Sequence, residues 1–112
     1  MLKVYTARIG NNGLDITVKS GDPVFAPSWK IVMDLKNDKI TWEQYVKKYT
    51  IMMRHSYLRN FQRWMEILRK KEVTLLCYCS DPNRCHRILL ADMFVKVGED
   101  KGINVQYMGE RE

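Results

Sequence analysis

All three cysteines of the chain fall in one run, Val73-Thr-Leu-Leu-Cys77-Tyr-Cys79-Ser-Asp-Pro-Asn-Arg84-Cys85-His86-Arg87-Ile-Leu-Leu, beside one of the two histidines and two of the arginines. Three chemistries use such a set. A thiolate nucleophile needs a cysteine whose pKa is lowered by a helix N-terminus or a nearby cation, and Cys85 or Cys79, with arginine and His86 as neighbours, fits that pattern. An anion pocket needs free backbone N–H groups at a helix start ringed by cations, and Arg84 and Arg87 stand where such a ring would be. A tetrahedral metal site needs thiolate and imidazole ligands, and Cys77, Cys79, Cys85 and His86 are four of them.

Spacing weighs these against one another. Zinc knuckles usually carry two cysteines on a turn, two to four residues apart, whereas Cys77 and Cys79 read as strand residues. Adjacent Cys85 and His86 would seldom reach one metal from a helix, so zinc is not favoured and no metal ligand is expected. Cys79 and Arg84 have the separation of the Cys-x4/5-Arg loops of sulfur- and phosphoryl-transfer enzymes, but Asp81 and Pro82 stand where such loops want small residues and N–H donors. Cys77 is expected to be a plain buried hydrophobe. Asp81-Pro82 is expected to open the following helix, as N-cap and first residue.

The chain that positions this run reads as α/β. Leu2 to Ile9 alternates in the manner of a strand and ends with Arg8 before the turn Gly10-Asn-Asn-Gly13. Leu14 to Lys19 is a second short strand or extended loop closed by Ser20-Gly-Asp22-Pro, with Asp22 expected to be solvated. A helix begins near Phe25 with Pro27 in its first turn, and Thr41-Trp-Glu-Gln44 matches a capping box that opens another. A longer helix is expected over Arg54–Lys71, burying Tyr57/Leu58, Phe61, Trp64/Met65 and Leu68. Val73–Cys79 is a near-continuous apolar run, as in a strand covered on both faces. A helix then runs to Gly98 as its C-terminal glycine, Ile103–Tyr107 is a last strand, and Gly109–Glu112 a polar tail. The order fits a single small three-layer Rossmann-like α/β domain with a short, mostly parallel sheet and right-handed crossovers.

Composition bounds the partners. The 112 residues carry 19 Lys+Arg against 13 Asp+Glu, net +6, which favours anions such as nucleotide, phosphate or nucleic acid. Between Lys47 and Lys71 stand eight Lys/Arg and one acid, Glu66, so this helix face is either a DNA- or RNA-binding footprint or a solvated surface. No apolar run is long enough to span a bilayer, and no signal peptide is apparent, so an intracellular, cytoplasmic protein without membrane contact is expected. Clustered, odd-numbered cysteines argue for thiols at a site rather than a secreted disulfide framework.

At the cysteine run the chain resembles the domain-of-unknown-function family 488. The resemblance is carried by Leu75-Leu76-Cys77, Asp81-Pro82, Cys85-His86-Arg87 and Leu89-Leu90, and by Tyr5 to Gly10, Asp15 to Gly21, Phe25-Ala-Pro-Ser28 and Met53 to Tyr57. It implies a Rossmann-like fold and no settled activity. It also implies that Cys79 is the least constrained of the cysteines, and that Thr6, Arg8, Lys19, Ser20 and Arg54 belong to an anion pocket with Cys79, Arg84 and Arg87. The expected function is therefore a phosphate- or nucleic-acid-binding pocket, with or without catalysis by Cys85 and His86. The rivals are a DNA/RNA-binding accessory protein using the 47–71 face and a zinc-stabilised interaction module.

Overall fold

The computed structural model describes residues 1–79, 81 and 84–111. Strand β1 spans Leu2–Arg8, where alternate side chains Leu2, Val4 and Thr6 are buried and Lys3 is exposed. β2 is the short Leu14–Asp15, β3 is Glu72–Cys77 and β4 is Val105–Glu110. The four strands form one sheet in the order β2-β3-β1-β4, every pair parallel, with Arg8 of β1 in register with Cys77 of β3. The α/β class and the parallel sheet are as expected.

Helices α1 (Trp29–Lys36), α2 (Trp42–Arg59) and α3 (Phe61–Leu68) connect β2 to β3, and α4 (His86–Lys101) connects β3 to β4. Both connections step the same way across the sheet, so crossovers of the usual right hand place all four helices on one face. The packing agrees. Phe25, Trp64 of α3 and Phe94 of α4 meet edge to face at 5.2–5.6 Å, over buried Leu2, Val4, Leu75 and Val105. Among the described residues the other face carries no helix. Gly13 lies against Thr74 and Leu76, and the Arg111 guanidinium stacks 3.4 Å above the Tyr5 ring while donating to Thr74 Oγ1.

Several boundaries differ from the sequence expectations, each for a local reason. Ser28 is the N-cap of α1, accepting from Ile31 N, so Pro27 precedes the cap and lies outside the first turn. The Thr41/Gln44 capping box forms with both of its hydrogen bonds. The helix expected over Arg54–Lys71 is two helices, because Asn60 leaves helical geometry at φ −122°, ψ 39°. That break turns Trp64 into the core and leaves Leu58 76% exposed and Phe61 at the surface, correcting their place in the buried stripe. Asp22 is not a solvated loop residue: it accepts from Arg63 Nε at 2.9 Å and from Val24 N.

Strand β3 ends at Cys77, so Cys79 belongs to the loop and not to the strand. Helix α4 begins at His86 with Cys85 as its N-cap, rather than at Asp81-Pro82; Pro82 itself lies outside the described residues. The helix ends at Gly102, whose φ of +71° suits glycine. Gly98 is instead buried mid-helix, where a Cβ would collide with Val105, so it sets how closely α4 approaches β4. Gly109 and Glu110 continue β4 rather than forming a tail.

Candidate functional site

The carboxyl ends of β1 and β3 and the start of α4 bring the sulfur-bearing residues together. Cys77 closes β3, Cys79 follows two residues on, Cys85 caps α4 and His86 opens its first turn. The three Sγ atoms lie within 4.8 Å of one another, with Cys77 and Cys79 at 3.7 Å. His86 Nδ1 stands 3.6 Å from Cys77 Sγ and 3.9 Å from Cys85 Sγ. Its Nε2 lies 2.6 Å from the carbonyl oxygen of Ile16. A carbonyl only accepts, so Nε2 carries the proton and Nδ1 turns a lone pair toward the sulfurs. Burial holds the imidazole below its usual pKa, in keeping with this neutral form. Tyr49 fixes the ring from the side, its own ring 5.4 Å away and its hydroxyl donating to Phe25 O.

Both spacing objections to a shared cluster fall away in three dimensions. Cys79 is free of strand geometry, and Cys85 and His86 turn their side chains to the same point because a cap and a first-turn residue have different backbone conformations. The thiols also differ among themselves. Donation from the Cys77 and Cys85 thiols, with Arg87 nearby, holds Cys79 far below the ordinary thiol value. Cys77 is pushed up to about 11, chiefly by its hydrogen bond to Cys79, and Cys85 is raised by Cys77 and Cys79 and by burial. Cys79 is the exposed sulfur of the three, and the Cys77 and Cys85 sulfurs are buried. Cys85 and Cys79, the two cysteines expected as candidate nucleophiles, thus differ in their access to solvent.

Arg87 is also placed differently from its expected role as a ligand. It is completely buried, forms a forked pair with Glu110 (Nε–Oε1 3.1 Å, Nη2–Oε2 2.7 Å) and donates through Nη1 to Cys79 O at 2.9 Å. It holds the loop. Burial opposes its charge, but Glu110 outweighs that and raises its pKa.

Beside the sulfurs opens a cleft of about 430 Å³ between α1, the Thr17–Lys19 segment and the residues Cys79, Arg84, Cys85 and His86. Its walls include Pro27, Trp29, Val32 and Tyr45, and its charged lining residues are Lys19, Lys36 and Arg84. No carboxylate lines it among the described residues. Lys19, Cys79, Arg84, Cys85 and His86 all line this cleft.

Arg8, Thr6, Ser20 and Arg54 are not in this lining. Arg8 is exposed at the end of β1. Thr6 is buried, with its hydroxyl 2.7 Å from Tyr107 Oη. Ser20 donates to Asp15 Oδ2 at 2.6 Å within its own loop. Arg54 lines a separate groove between α2 and α4 with Met53, Tyr57 and Met93. The cleft that was expected to join Arg8 to Arg87 is lined by neither. On the basic 47–71 segment, Arg63 is spent on Asp22 and Glu66.

Sequence reasoning missed Trp29, Lys36 and Tyr45 as cleft walls, although Trp29, Val32 and Lys36 recur at helical spacing on one face of α1. It had no means of finding Glu110 or the carbonyl of Ile16.

A small parallel α/β domain with a Cys/His cluster at the carboxyl edge of its sheet defines the class of the molecule. The chain belongs to the domain-of-unknown-function 488 family: residues 3–98 match the family model DUF488-N3a, described as the active DUF488-N3 subclade. The match stops short of β4, and so of Glu110. No curated protein and no solved structure matches the chain. No helix among the described residues is long and apolar enough to cross a membrane.

Proposed function

We propose that this domain binds a phosphate-bearing small molecule with an aromatic or apolar moiety, of the nucleotide type, in the cleft above the sulfur cluster. The observation that carries this is the lining itself: three cations, Lys19, Lys36 and Arg84, and no carboxylate, around walls of Trp29, Tyr45, Val32 and Pro27. A planar apolar group gains from burial against those walls, while fixed cations at the rim attract the anion. Trp29 is more than half exposed, leaving its face open to stacking. Arg84 stands with its guanidinium 6.0 Å from the Trp42 ring centre, which steadies it at the cleft edge. The description of the matched subclade as active supports a working site.

Titration with adenosine 5′-monophosphate, adenosine and inorganic phosphate, followed by calorimetry, tests this reading. The monophosphate should bind more tightly than either fragment and weaken with added salt. Arg84→Glu with Lys36→Glu should lower its affinity by roughly a hundredfold, about 1.4 kcal/mol for each tenfold step. Equal binding of adenosine, or an affinity unmoved by the charge reversal, would refute it.

A further inference from the structure

We infer that Cys77, Cys79, Cys85 and His86 form a zinc(II) site with three sulfur ligands and one nitrogen ligand. A tetrahedral zinc ion has Zn–S bonds of about 2.3 Å and Zn–N bonds of about 2.0–2.1 Å. Those lengths and the tetrahedral angle require S···S edges of about 3.8 Å and S···N edges of about 3.6 Å. The observed edges are 3.7 Å for Cys77–Cys79, 3.6 Å for Cys77–His86 and 3.9 Å for Cys85–His86. The two edges from Cys85 to the other sulfurs fall within the 4.8 Å span of the cluster. The three sulfurs thus stand near one another, and His86 Nδ1 stands at ligand-like separation from two of them, Cys77 and Cys85.

A second observation points the same way. A metal-bound histidine usually donates its other ring N–H to a carbonyl or carboxylate, which fixes the tautomer and aims the free lone pair. His86 does so through Nε2 to Ile16 O, and it is 4% exposed, so the lone pair on Nδ1 faces sulfur and not water. Packing alone gives no reason to gather three thiols and an imidazole nitrogen, where an apolar group of similar size would fill the space without a polar atom to satisfy. Cys79 is exposed, so an ion has a path in. Three thiolates, one neutral imidazole and Zn²⁺ sum to one negative charge. The guanidinium of Arg87, tied to Cys79 O, faces that charge from the protein side. Soft thiolates with one imidazole in tetrahedral array suit zinc over magnesium or calcium, which prefer oxygen.

The inference rests on sulfur and nitrogen positions, not on the rim cations, so it stands or falls separately from nucleotide binding. Reduced, metal-free protein titrated with cobalt(II) tests it, with the monophosphate titration run on the same samples. One equivalent should bind with thiolate-to-cobalt charge-transfer absorption and the intense visible bands of tetrahedral cobalt, and zinc should displace it. Cys79→Ser, at an exposed position that folding tolerates, should lower zinc affinity by about a hundredfold or more, beyond what outer partners of a metal site cost. His86→Gln should shift the visible bands as nitrogen leaves the ligand set. Less than one equivalent, or weak octahedral bands, would overturn the inference. So would unchanged zinc affinity in Cys79→Ser or an unshifted spectrum in folded His86→Gln. If His86→Gln does not fold, the Cys79→Ser affinity decides.

Discussion

Arg87 carries a full charge where no water reaches it, and the surrounding groups explain how it can. Glu110 supplies the counter-charge through a forked pair, and Cys79 O takes a third N–H. Removing one partner of such a pair leaves the other buried and uncompensated, which is far worse than never having had the pair. Glu110→Gln should therefore destabilise the fold by about 2 kcal/mol, below the ~3–5 of a fully buried pair because the carboxylate is partly open to water. Burial pushes the Glu110 carboxyl up, but the hydrogen bonds from Arg87 outweigh it and hold it below its ordinary 4.5. A depressed carboxyl pKa contributes stability above the unfolded value and loses it as pH falls through the folded one. The gap in urea midpoint between wild type and Glu110→Gln should thus be full at neutral pH. It should close progressively below about pH 4.5. A gap that stays constant with pH would show that the Gln variant fails for reasons of packing, not charge.

At the scale of elements, the local signals that worked were those whose physics is local. Thr41 and Gln44 satisfy each other's neighbouring N–H groups without help from the rest of the chain, so the capping box was legible and is present. Thr41→Ala should cost about 1 kcal/mol, read as a fall in thermal midpoint. The break at Asn60 was not legible, because an apolar stripe at helical spacing runs through it without a Pro or Gly to interrupt it. What ends α2 there is the gain from turning Trp64 against Phe25 and Phe94, which depends on residues far away in sequence. The corollary is that Leu58, placed in the stripe by periodicity, contributes little. Leu58→Gln should change stability by no more than about 0.5 kcal/mol, whereas a continuous buried helix would have made it costly. The same contrast separates the two glycines of α4. Gly102 ends the helix through its own positive φ, while Gly98 is needed for the approach of Val105.

For the molecule as a whole, one core joins every helix to the sheet, and Phe94 is at its centre, edge-on to both Phe25 and Trp64. Phe94→Ala should lose about 3–5 kcal/mol by chemical denaturation, as expected for a large side chain removed from a packed interior. The excess of positive charge is not spread as an even coat. Arg63 is consumed by Asp22 and Glu66, Lys30 pairs with Asp34 and Lys96 with Asp92, while Lys19, Lys36 and Arg84 gather round the cleft. The proposed anion site rests on that distribution rather than on the net +6.

The sequence by itself determined the strands, the capping box, the class of fold and the run in which the three cysteines lie. Each of these rests on periodicity or on contacts between near neighbours. It could also place Cys85 and His86 side by side at a helix start, because a strand–loop–helix junction collects them whatever the rest of the chain does. Only the tertiary structure decided what those residues do. Cys79 lies past the end of the strand that holds Cys77, Arg87 turned inward to a glutamate 23 residues away, and the Ile16 carbonyl aimed the His86 lone pair. Such roles depend on through-space partners supplied by sheet order and helix packing, and no spacing along the chain encodes them.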